Sequence, residues 1–118
     1  IGVQALKVPS GELDNLGFVS EIASRGLPVI ISTGLGYLEE VAAAVEAAAA
    51  APGVALMHCV TAYPSPVEAS NLRAIPTMAR RFGLPVGWSD HTNGYLTAIA
   101  AVTIGASILE KHITLDRQ

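Results

Sequence analysis

The chain has 118 residues, of which 51% are hydrophobic and 14% are charged, with a formal net charge of −3. This length suits one small domain with a buried core, and the composition excludes a disordered chain and a nucleic-acid-binding surface. A single cysteine, Cys59, excludes an intrachain disulfide and favours a cytoplasmic protein. No apolar run is long enough to cross a membrane, and a start at Ile1 without a signal sequence favours a piece of a longer protein.

Apolar, β-branched segments predict five strands, and the segments between them predict four helices. The strands are expected over residues 3–8, 28–32, 54–59, 85–88 and 107–112. The helices are expected over residues 15–24, 38–50, 71–82 and 95–104. Asp14 is the expected N-cap of the first helix. Strict alternation of helices with continuous apolar strands predicts a parallel sheet covered by helices.

Two α/β architectures fit this order: an open doubly wound sheet and part of a (β/α)8 TIM barrel. The first strand is followed by Pro9, Ser10, Gly11 and Glu12 instead of a glycine-rich dinucleotide fingerprint. Polar residues also end all five strands, as in a barrel, whose active site lies at the carboxyl ends of its strands. A complete barrel needs about 250 residues. We therefore predict roughly five-eighths of a TIM barrel, with exposed apolar edges unless more chain closes it.

The polar residues at the strand ends are the candidates for chemistry. In chain order they are Lys7, Ser10 and Glu12; Ser32 and Thr33; His58, Thr61 and Tyr63; Ser89, Asp90 and His91; and Glu110, Lys111 and His112. Side chains alternate along a strand, so Ser89 shares a face with His91, and Glu110 with His112. Lys111 is then expected to face the helices.

These side chains favour binding of a metal and an anion. His91 and His112 are candidate ligands of a divalent metal, although each imidazole can instead hydrogen-bond within a polar barrel mouth. Lys7 can pair with a phosphate or carboxylate, and Ser10, Ser32 and Ser89 can donate to the same anion. For the serines, the alternative is helix capping or turn formation. His58 and Cys59 are expected in the core. Together, the pattern indicates Lewis-acid chemistry on a phosphorylated or carboxylated small molecule.

Five segments together resemble the sialic acid synthase family, which comprises N-acetylneuraminate synthase and its nonulosonate relatives. They are residues 7–12 (KVPSGE), 31–34 (ISTG), 58–64 (HCVTAYP), 89–92 (SDHT) and 110–114 (EKHIT). They occur in the family's order and spacing over essentially the whole chain. The resemblance implies that residues 1–118 are strands four to eight of a synthase barrel. Strands one to three and a C-terminal antifreeze-like domain are then absent.

That family condenses phosphoenolpyruvate with an N-acylated hexosamine, typically N-acetylmannosamine, and releases phosphate. The resemblance implies that His91 and His112 bind a divalent metal, usually Mn²⁺, with Mg²⁺ as the alternative. It assigns the binding of phosphoenolpyruvate to a lysine and several hydroxyl groups, namely Lys7, Ser10, Ser32, Thr61 and Ser89. Glu12 and Tyr63 match residues around the amino sugar and are the catalytic candidates. A further family carboxylate, an acid or base, lies on the first barrel strand, outside this sequence.

The resemblance leaves the sugar open, because loop residues choose it and half of those loops are missing. A legionaminate or pseudaminate synthase is one alternative, and a non-catalytic binding or structural relic of the barrel is another. The resemblance also implies a homodimer in the full-length protein, in which the C-terminal domain donates an arginine to the neighbouring site. We therefore expect residues 1–118 alone to be inactive.

Overall fold

In a computed structural model that describes residues 2–116, five parallel strands form one sheet and follow each other in chain order. The strands are β1 (Leu6–Val8), β2 (Val29–Ser32), β3 (Val54–Cys59), β4 (Val86–Asp90) and β5 (Leu109–Lys111). The helices between them are α1 (Leu16–Ala23), α2 (Leu38–Ala47), α3 (Ala74–Phe82) and α4 (Leu96–Thr103). Short 3₁₀ turns occupy Ser10–Glu12 and Val67–Ala69. The predicted partial (β/α)8 barrel is confirmed.

The N-cap of α1 and the start of α3 differ from the prediction. Asn15, not Asp14, caps α1, because its side chain accepts a hydrogen bond from the backbone N–H of Phe18 at 3.3 Å. Helix α3 begins at Ala74 instead of residue 71, because Asn71 has a φ of 41°, which is incompatible with a right-handed helix. Pro76 consequently lies in the first turn of α3, where its missing N–H removes no helical hydrogen bond.

Strand β4 is longer at its carboxyl end than predicted, and the outer strands are shorter. β4 continues through Ser89 and Asp90, because Ser89 pairs in register with Glu110, and Asp90 with Lys111, on β5. Pairing with β5 therefore keeps the polar end of β4 in regular strand conformation. β1 begins only at Leu6, where its pairing with Val29 of β2 begins.

Alternation along the strands gives the sheet two different faces. One face packs on the helices and contains the largest buried apolar side chains of the core. They include Val8, Val29, Ile31, Leu56, Val86 and Trp88, each at most 1% exposed. The residues between them, such as Lys7, Ser89 and Glu110, belong to the opposite, concave face. This face forms the interior of the partial barrel and is more polar towards the carboxyl ends of the strands.

The last helix and the last strand carry exposed apolar side chains, as expected for an unclosed barrel. On α4, Leu96 is 65% exposed, Ile99 58% and Val102 52%, and Leu109 of β5 is 47% exposed. Residues of α4 that face β4, such as Thr97 and Ala101, are buried. None of the helices within residues 2–116 has the length and hydropathy that a membrane crossing requires.

Candidate functional site

The concave face of the sheet opens into a cavity of about 240 Å³ at the carboxyl ends of the strands. Eight of the nine side chains predicted to act on substrate or metal line it: Lys7, Ser10, Ser32, Thr61, Tyr63, Ser89, His91 and His112. The ninth, Glu12, is not part of this lining. Its carboxylate accepts a hydrogen bond from the side-chain amide of Asn15 at 2.8 Å, next to the start of α1.

Curvature of the sheet brings its first and last strands together. The Lys7 Nζ atom on β1 donates to Glu110 Oε1 on β5 at 2.6 Å, although three strands lie between them. The Ser89 hydroxyl, on the neighbouring register position of β4, donates to the same carboxylate oxygen at 2.6 Å. One carboxylate therefore connects two residues that were predicted to bind the anion.

Glu110 was a strand-end candidate without an assigned role in binding substrate or metal, and it is the central hydrogen-bond acceptor of the cavity. Partial burial by itself would raise the pKa of Glu110, but hydrogen bonds from Lys7 and Ser89 and the Lys7 charge outweigh burial and lower it. Its signal in the sequence is its position two residues before His112, on the same strand face. The ionised carboxylate balances the Lys7 ammonium, so these two residues together bring no net charge to the cavity.

Two imidazoles and one phenol ring form the rim of this cavity. The ring centroids of His91 and His112 are 5.5 Å apart, and the rings are nearly perpendicular, at 86°. The Tyr63 ring lies 4.2 Å from the His91 ring and 5.7 Å from the His112 ring, measured between centroids. The two histidines that end successive strands thus converge on one place, as their alternation along the strands predicts.

Hydrogen bonds determine which nitrogen of His91 is free to bind a cation. Nδ1 lies 2.7 Å from the backbone oxygen of Val60, so Nδ1 carries the hydrogen and donates. Nε2 is 3.3 Å from the Ser89 hydroxyl, but that hydroxyl already donates its hydrogen to Glu110. In neutral His91 the Nε2 lone pair therefore has no donor in this network and is available as a ligand.

The donor set fits a divalent cation held in part by this chain. Two imidazoles on adjacent strand ends suit a first-row transition metal. Within residues 2–116, no group of three or more His, Cys, Asp or Glu side chains is arranged to hold a metal ion. His91 and His112 would thus supply two ligands, and the remaining ones would come from substrate, water or further chain. A cation would also add the positive charge that the Lys7–Glu110 pair does not provide.

Ser10 connects the loops that follow β1 and β2. Its hydroxyl oxygen accepts the backbone N–H of Gly34 at 2.9 Å and lies 3.2 Å from the Cys59 sulfur. A Cβ atom at Gly34 would lie 2.5 Å from the Cys59 Sγ and 2.7 Å from the Thr61 hydroxyl oxygen. Glycine is therefore required for the close approach of the loop after β2 to the end of β3.

The remaining strand-end candidates lie on the helix side of the sheet and do not line this smaller cavity. His58 is buried, its Nε2 lies 2.8 Å from the Ser70 carbonyl oxygen, and its ring packs 5.1 Å from the Trp88 ring. Burial lowers the pKa of His58, and hydrogen bonds to the backbone of Ser70 and Asn71 offset this only in part. The prediction that His58 belongs to the core is confirmed.

Asp90 is also buried on the helix face, where Lys111 donates to its Oδ2 at 2.9 Å. Burial by itself would raise the pKa of Asp90, but donors from Lys111 and Thr92 outweigh burial and lower it. The expected outward orientation of Lys111 is confirmed by this contact with the helix-face carboxylate.

A second, larger concavity of about 900 Å³ adjoins the first and shares Tyr63, His91 and His112 with it. Beyond these rings it is lined by Asp90, Lys111 and the loop between β4 and α4. The three rings thus lie between a small chamber with a lysine and several hydroxyl groups and a wider, more open one. Such an arrangement can bind two different molecules on either side of one cation.

Comparison with known proteins gives matches over the whole chain. The family model described as the NeuB family matches residues 1–118. An N,N'-diacetyllegionaminic acid synthase of Legionella pneumophila is 43% identical over 99% of this chain and 35% of its own length. A pseudaminic acid synthase of Campylobacter jejuni is 36% identical over 96% of this chain and 34% of its own length.

A solved structure has the same fold. The N-acetylneuraminic acid synthetase of Leptospira borgpetersenii, crystallised in complex with citrate, superposes with a TM-score of 0.92 and 38% identity. The match covers 98% of this chain and 41% of that one. The chain therefore spans about a third of the length of the curated relatives it matches.

Proposed function

Because the chain belongs to the NeuB family, we propose that the protein containing it is a sialic-acid-type synthase. In this proposal it joins phosphoenolpyruvate to N-acetylmannosamine or a related N-acyl sugar and releases phosphate. The observation that carries the proposal is the convergence of Lys7, four hydroxyl side chains, Tyr63 and two imidazoles on one cavity at the strand ends. A phosphorylated carboxylic acid requires this combination of a cation and several hydroxyl donors.

The smaller chamber is the proposed site of phosphoenolpyruvate. Lys7 uses one of its three N–H groups on Glu110, which leaves two for a phosphate or carboxylate oxygen. Ser10, Ser32 and Thr61 add hydroxyl groups around the same space. Ser89 donates to Glu110, so its role is to hold that carboxylate unless an incoming anion displaces it.

His91 and His112 are the proposed ligands of a divalent cation, Mn²⁺ or Mg²⁺. When bound, the cation would supply Lewis-acid polarisation of the sugar carbonyl. The Val60 carbonyl keeps the hydrogen of His91 on Nδ1, so that Nε2 presents its lone pair. Tyr63 covers both imidazoles with its ring and separates the two chambers.

The wider chamber is the proposed site of the acceptor sugar. Its loop presents Asn93 and Tyr95, whose polar groups suit hydroxyl and amide substituents. The methylene carbon of phosphoenolpyruvate would form a bond to the aldehyde carbon of the sugar, and the aldehyde oxygen would take up a proton. Water would then add to the carbon that bears the phosphate group and lose its protons, so that this carbon becomes a ketone as phosphate leaves with the bridging oxygen. Glu12 stays a candidate for the sugar side, in the same 3₁₀ turn as Ser10.

The rest of the proposed enzyme lies outside residues 1–118. Three further barrel strands would close the sheet, and a C-terminal domain of a partner subunit would complete the site in a homodimer. Phosphoenolpyruvate is a metabolite of the cytoplasm, so we place the enzyme there. The Lys7 and Glu110 charges balance each other in the cavity. In this proposal, further positive charge comes from parts of the enzyme outside residues 1–118.

Synthesis of legionaminate or pseudaminate is the alternative within the same chemistry. The legionaminic acid synthase of Legionella is 43% identical, and the neuraminic acid synthetase of Leptospira is 38% identical. These two identities are too similar to indicate which sugar the enzyme uses. An assay of the whole protein with N-acetylmannosamine and with the diacetylated acceptors, in parallel, identifies it by the highest kcat/KM.

The deciding experiment measures phosphate released from phosphoenolpyruvate by the whole protein, with and without Mn²⁺ and the acceptor sugar. We expect phosphate release only when phosphoenolpyruvate, Mn²⁺ and the acceptor sugar are all present. In His91→Ala and His112→Ala the rate of release should fall about 100-fold or more. His58→Gln is the matched control, because it alters a histidine of the same barrel end that lies outside the cavity. A non-catalytic relic would release no phosphate under any condition, and that result would refute the proposal.

A further inference from the structure

A compact polar cluster lies on the helix face of the β4 and β5 tips, directly behind the two imidazoles. Asp90 and Lys111 are register partners on adjacent strands, one residue before His91 and His112 respectively. Lys111 Nζ donates to Asp90 Oδ2 at 2.9 Å and to the backbone oxygen of Thr92 at 2.8 Å. Because side chains alternate, this pair and the two imidazoles lie on opposite faces of the same strand ends.

The second carboxylate oxygen of Asp90 completes the cluster. Oδ1 accepts the backbone N–H of Thr92 at 2.9 Å and the Thr92 hydroxyl at 2.7 Å. The Thr92 hydroxyl also contacts the Thr97 hydroxyl in the first turn of α4 at 2.8 Å. Thr92 is therefore held through its N–H, its carbonyl and its side chain, and the backbone on both sides of His91 is fixed.

Burial of the Asp90 carboxylate makes this cluster dependent on the Lys111 charge. The Asp90 side chain is 1% exposed, whereas the Lys111 side chain that pairs with it is 40% exposed. Removing Lys111 would leave the buried carboxylate without a balancing charge, and neutralising Asp90 would weaken the contact that holds Lys111 in place; either change disturbs the structure around the pair. In the chain described here, such a disruption would act first on the two strand tips that carry the imidazoles.

We propose that Asp90 and Lys111 are positioning residues that set the separation and orientation of His91 and His112. The inference rests on the proposed function, in which the two imidazoles bind a divalent cation. Within residues 2–116 no hydrogen bond joins the pair to either imidazole, so the pair acts through the backbone of the strand ends. Cation binding is sensitive to such an effect, because ligand distances must be correct to a few tenths of an ångström.

The test is a titration of the whole protein with Mn²⁺, in which free Mn²⁺ is followed by electron paramagnetic resonance. For Lys111→Met and Asp90→Asn we expect Mn²⁺ binding weakened about 10-fold or more. Lys111→Arg should restore most of the affinity, since a guanidinium can donate both to Asp90 and to the Thr92 carbonyl. Arg25→Met is the matched control: it breaks the exposed pair of Arg25 with Glu21 at the carboxyl end of α1, outside both cavities, and should leave affinity unchanged.

Two further measurements separate positioning from general loss of structure. All titrations are run well below the melting temperature of each variant, so that only folded protein is compared. In Lys111→Met, kcat should fall while the KM for phosphoenolpyruvate stays within about two-fold, because the groups around Lys7 are not displaced. If Asp90→Asn does not fold, the comparison of Lys111→Met with Lys111→Arg still decides the inference.

The two possible failures are distinguishable. If the unaltered protein binds no Mn²⁺ and shows no metal-dependent turnover, the proposed function is wrong. If the unaltered protein binds Mn²⁺ but Lys111→Met and Asp90→Asn bind it equally well, the positioning inference is overturned and the proposed function stands. Loss of affinity in Lys111→Arg equal to that in Lys111→Met would also overturn it.

Discussion

At the scale of single residues, alternation along two strands separates two kinds of ionic contact. Ser89 and Glu110 face the cavity, and Glu110 pairs with Lys7 at its surface. One position further along each strand, Asp90 and Lys111 pair on the helix face. A carboxylate with a lysine therefore occurs on each face of the sheet, and Lys7 is the lysine that lines the smaller cavity.

Lys7 is expected to act on phosphoenolpyruvate and not on the sugar. Lys7→Met should raise the KM for phosphoenolpyruvate about 10-fold or more, the cost of one charge-assisted hydrogen bond, and leave the sugar KM within about two-fold. Steady-state kinetics with each substrate varied in turn measure both constants. Arg81→Met, at the exposed end of α3, is the control for loss of a cation. Equal increases in the two constants would contradict the assignment.

His58 is expected to make stability fall in mild acid. Because burial lowers its pKa in the folded state below 6.5, the unfolded state binds a proton more readily in that range. The contribution of neutral His58 to the free energy of unfolding should therefore be fully present above pH 6.5. Below pH 6.5 this contribution should decrease, by at most about 1.4 kcal/mol per pH unit. Urea unfolding at pH 7.5, 6.5 and 5.5 measures the free energy of unfolding, which should change less with pH in His58→Gln than in the unaltered protein. An unchanged slope would exclude His58 as a source of the acid sensitivity.

At the scale of elements, the site depends on how closely the loops after successive strands approach each other. The loop after β2 reaches the end of β3 at Gly34, where the nearest atoms belong to Cys59 and Thr61. The Ser10 hydroxyl joins this loop to the one after β1. Three strand ends are thereby packed into one wall of the cavity without a charged contact between them.

Gly34→Ala is expected to destabilise the protein by about 1–3 kcal/mol through overpacking. The new methyl group would meet the Cys59 sulfur at 2.5 Å and its backbone oxygen at 3.0 Å, so that backbone as well as side chain must shift. Gly53→Ala is the matched control, because a Cβ there meets nothing within 4 Å. Denaturant unfolding of both variants measures the difference. Equal stability of the two would show that the loops separate without cost.

At the scale of the whole molecule, the chain is an open segment of a barrel. Its core lies between the sheet and the helices, and its concave face is complete enough for β1 to contact β5 through side chains. The outer surface of α4 and the β5 edge remain apolar and exposed. Apolar surface of this kind is normally covered by neighbouring elements or by a second molecule.

Residues 1–118 produced alone are therefore expected to self-associate and to bind the dye ANS. The double variant Leu96→Lys with Ile99→Lys should reduce both, because it places charges on two of the most exposed apolar positions of α4. Sedimentation velocity and ANS fluorescence measure the two effects. A monodisperse monomer without ANS fluorescence would show that the exposed face needs no cover.

The sequence by itself determined the alternation of strands and helices, the parallel sheet and the identity of the strand-end residues. Local hydrophobic patterns and the side-chain period of a strand are sufficient for these features, as the placement of His91 and His112 on one face illustrates. Caps and helix boundaries were predicted less well: Asn15 and not Asp14 caps α1, and α3 begins after Asn71. Backbone angles and contacts at single residues decide these details.

Only the tertiary structure decided which polar residues meet. Lys7 and Glu110 are 103 positions apart, and no local pattern connects them; curvature of the sheet does. The same curvature unites eight candidate residues in one cavity and leaves Glu12 beside Asn15. The pairing of Asp90 with Lys111 likewise follows from strand register, which is fixed by packing of the whole sheet and not by either residue.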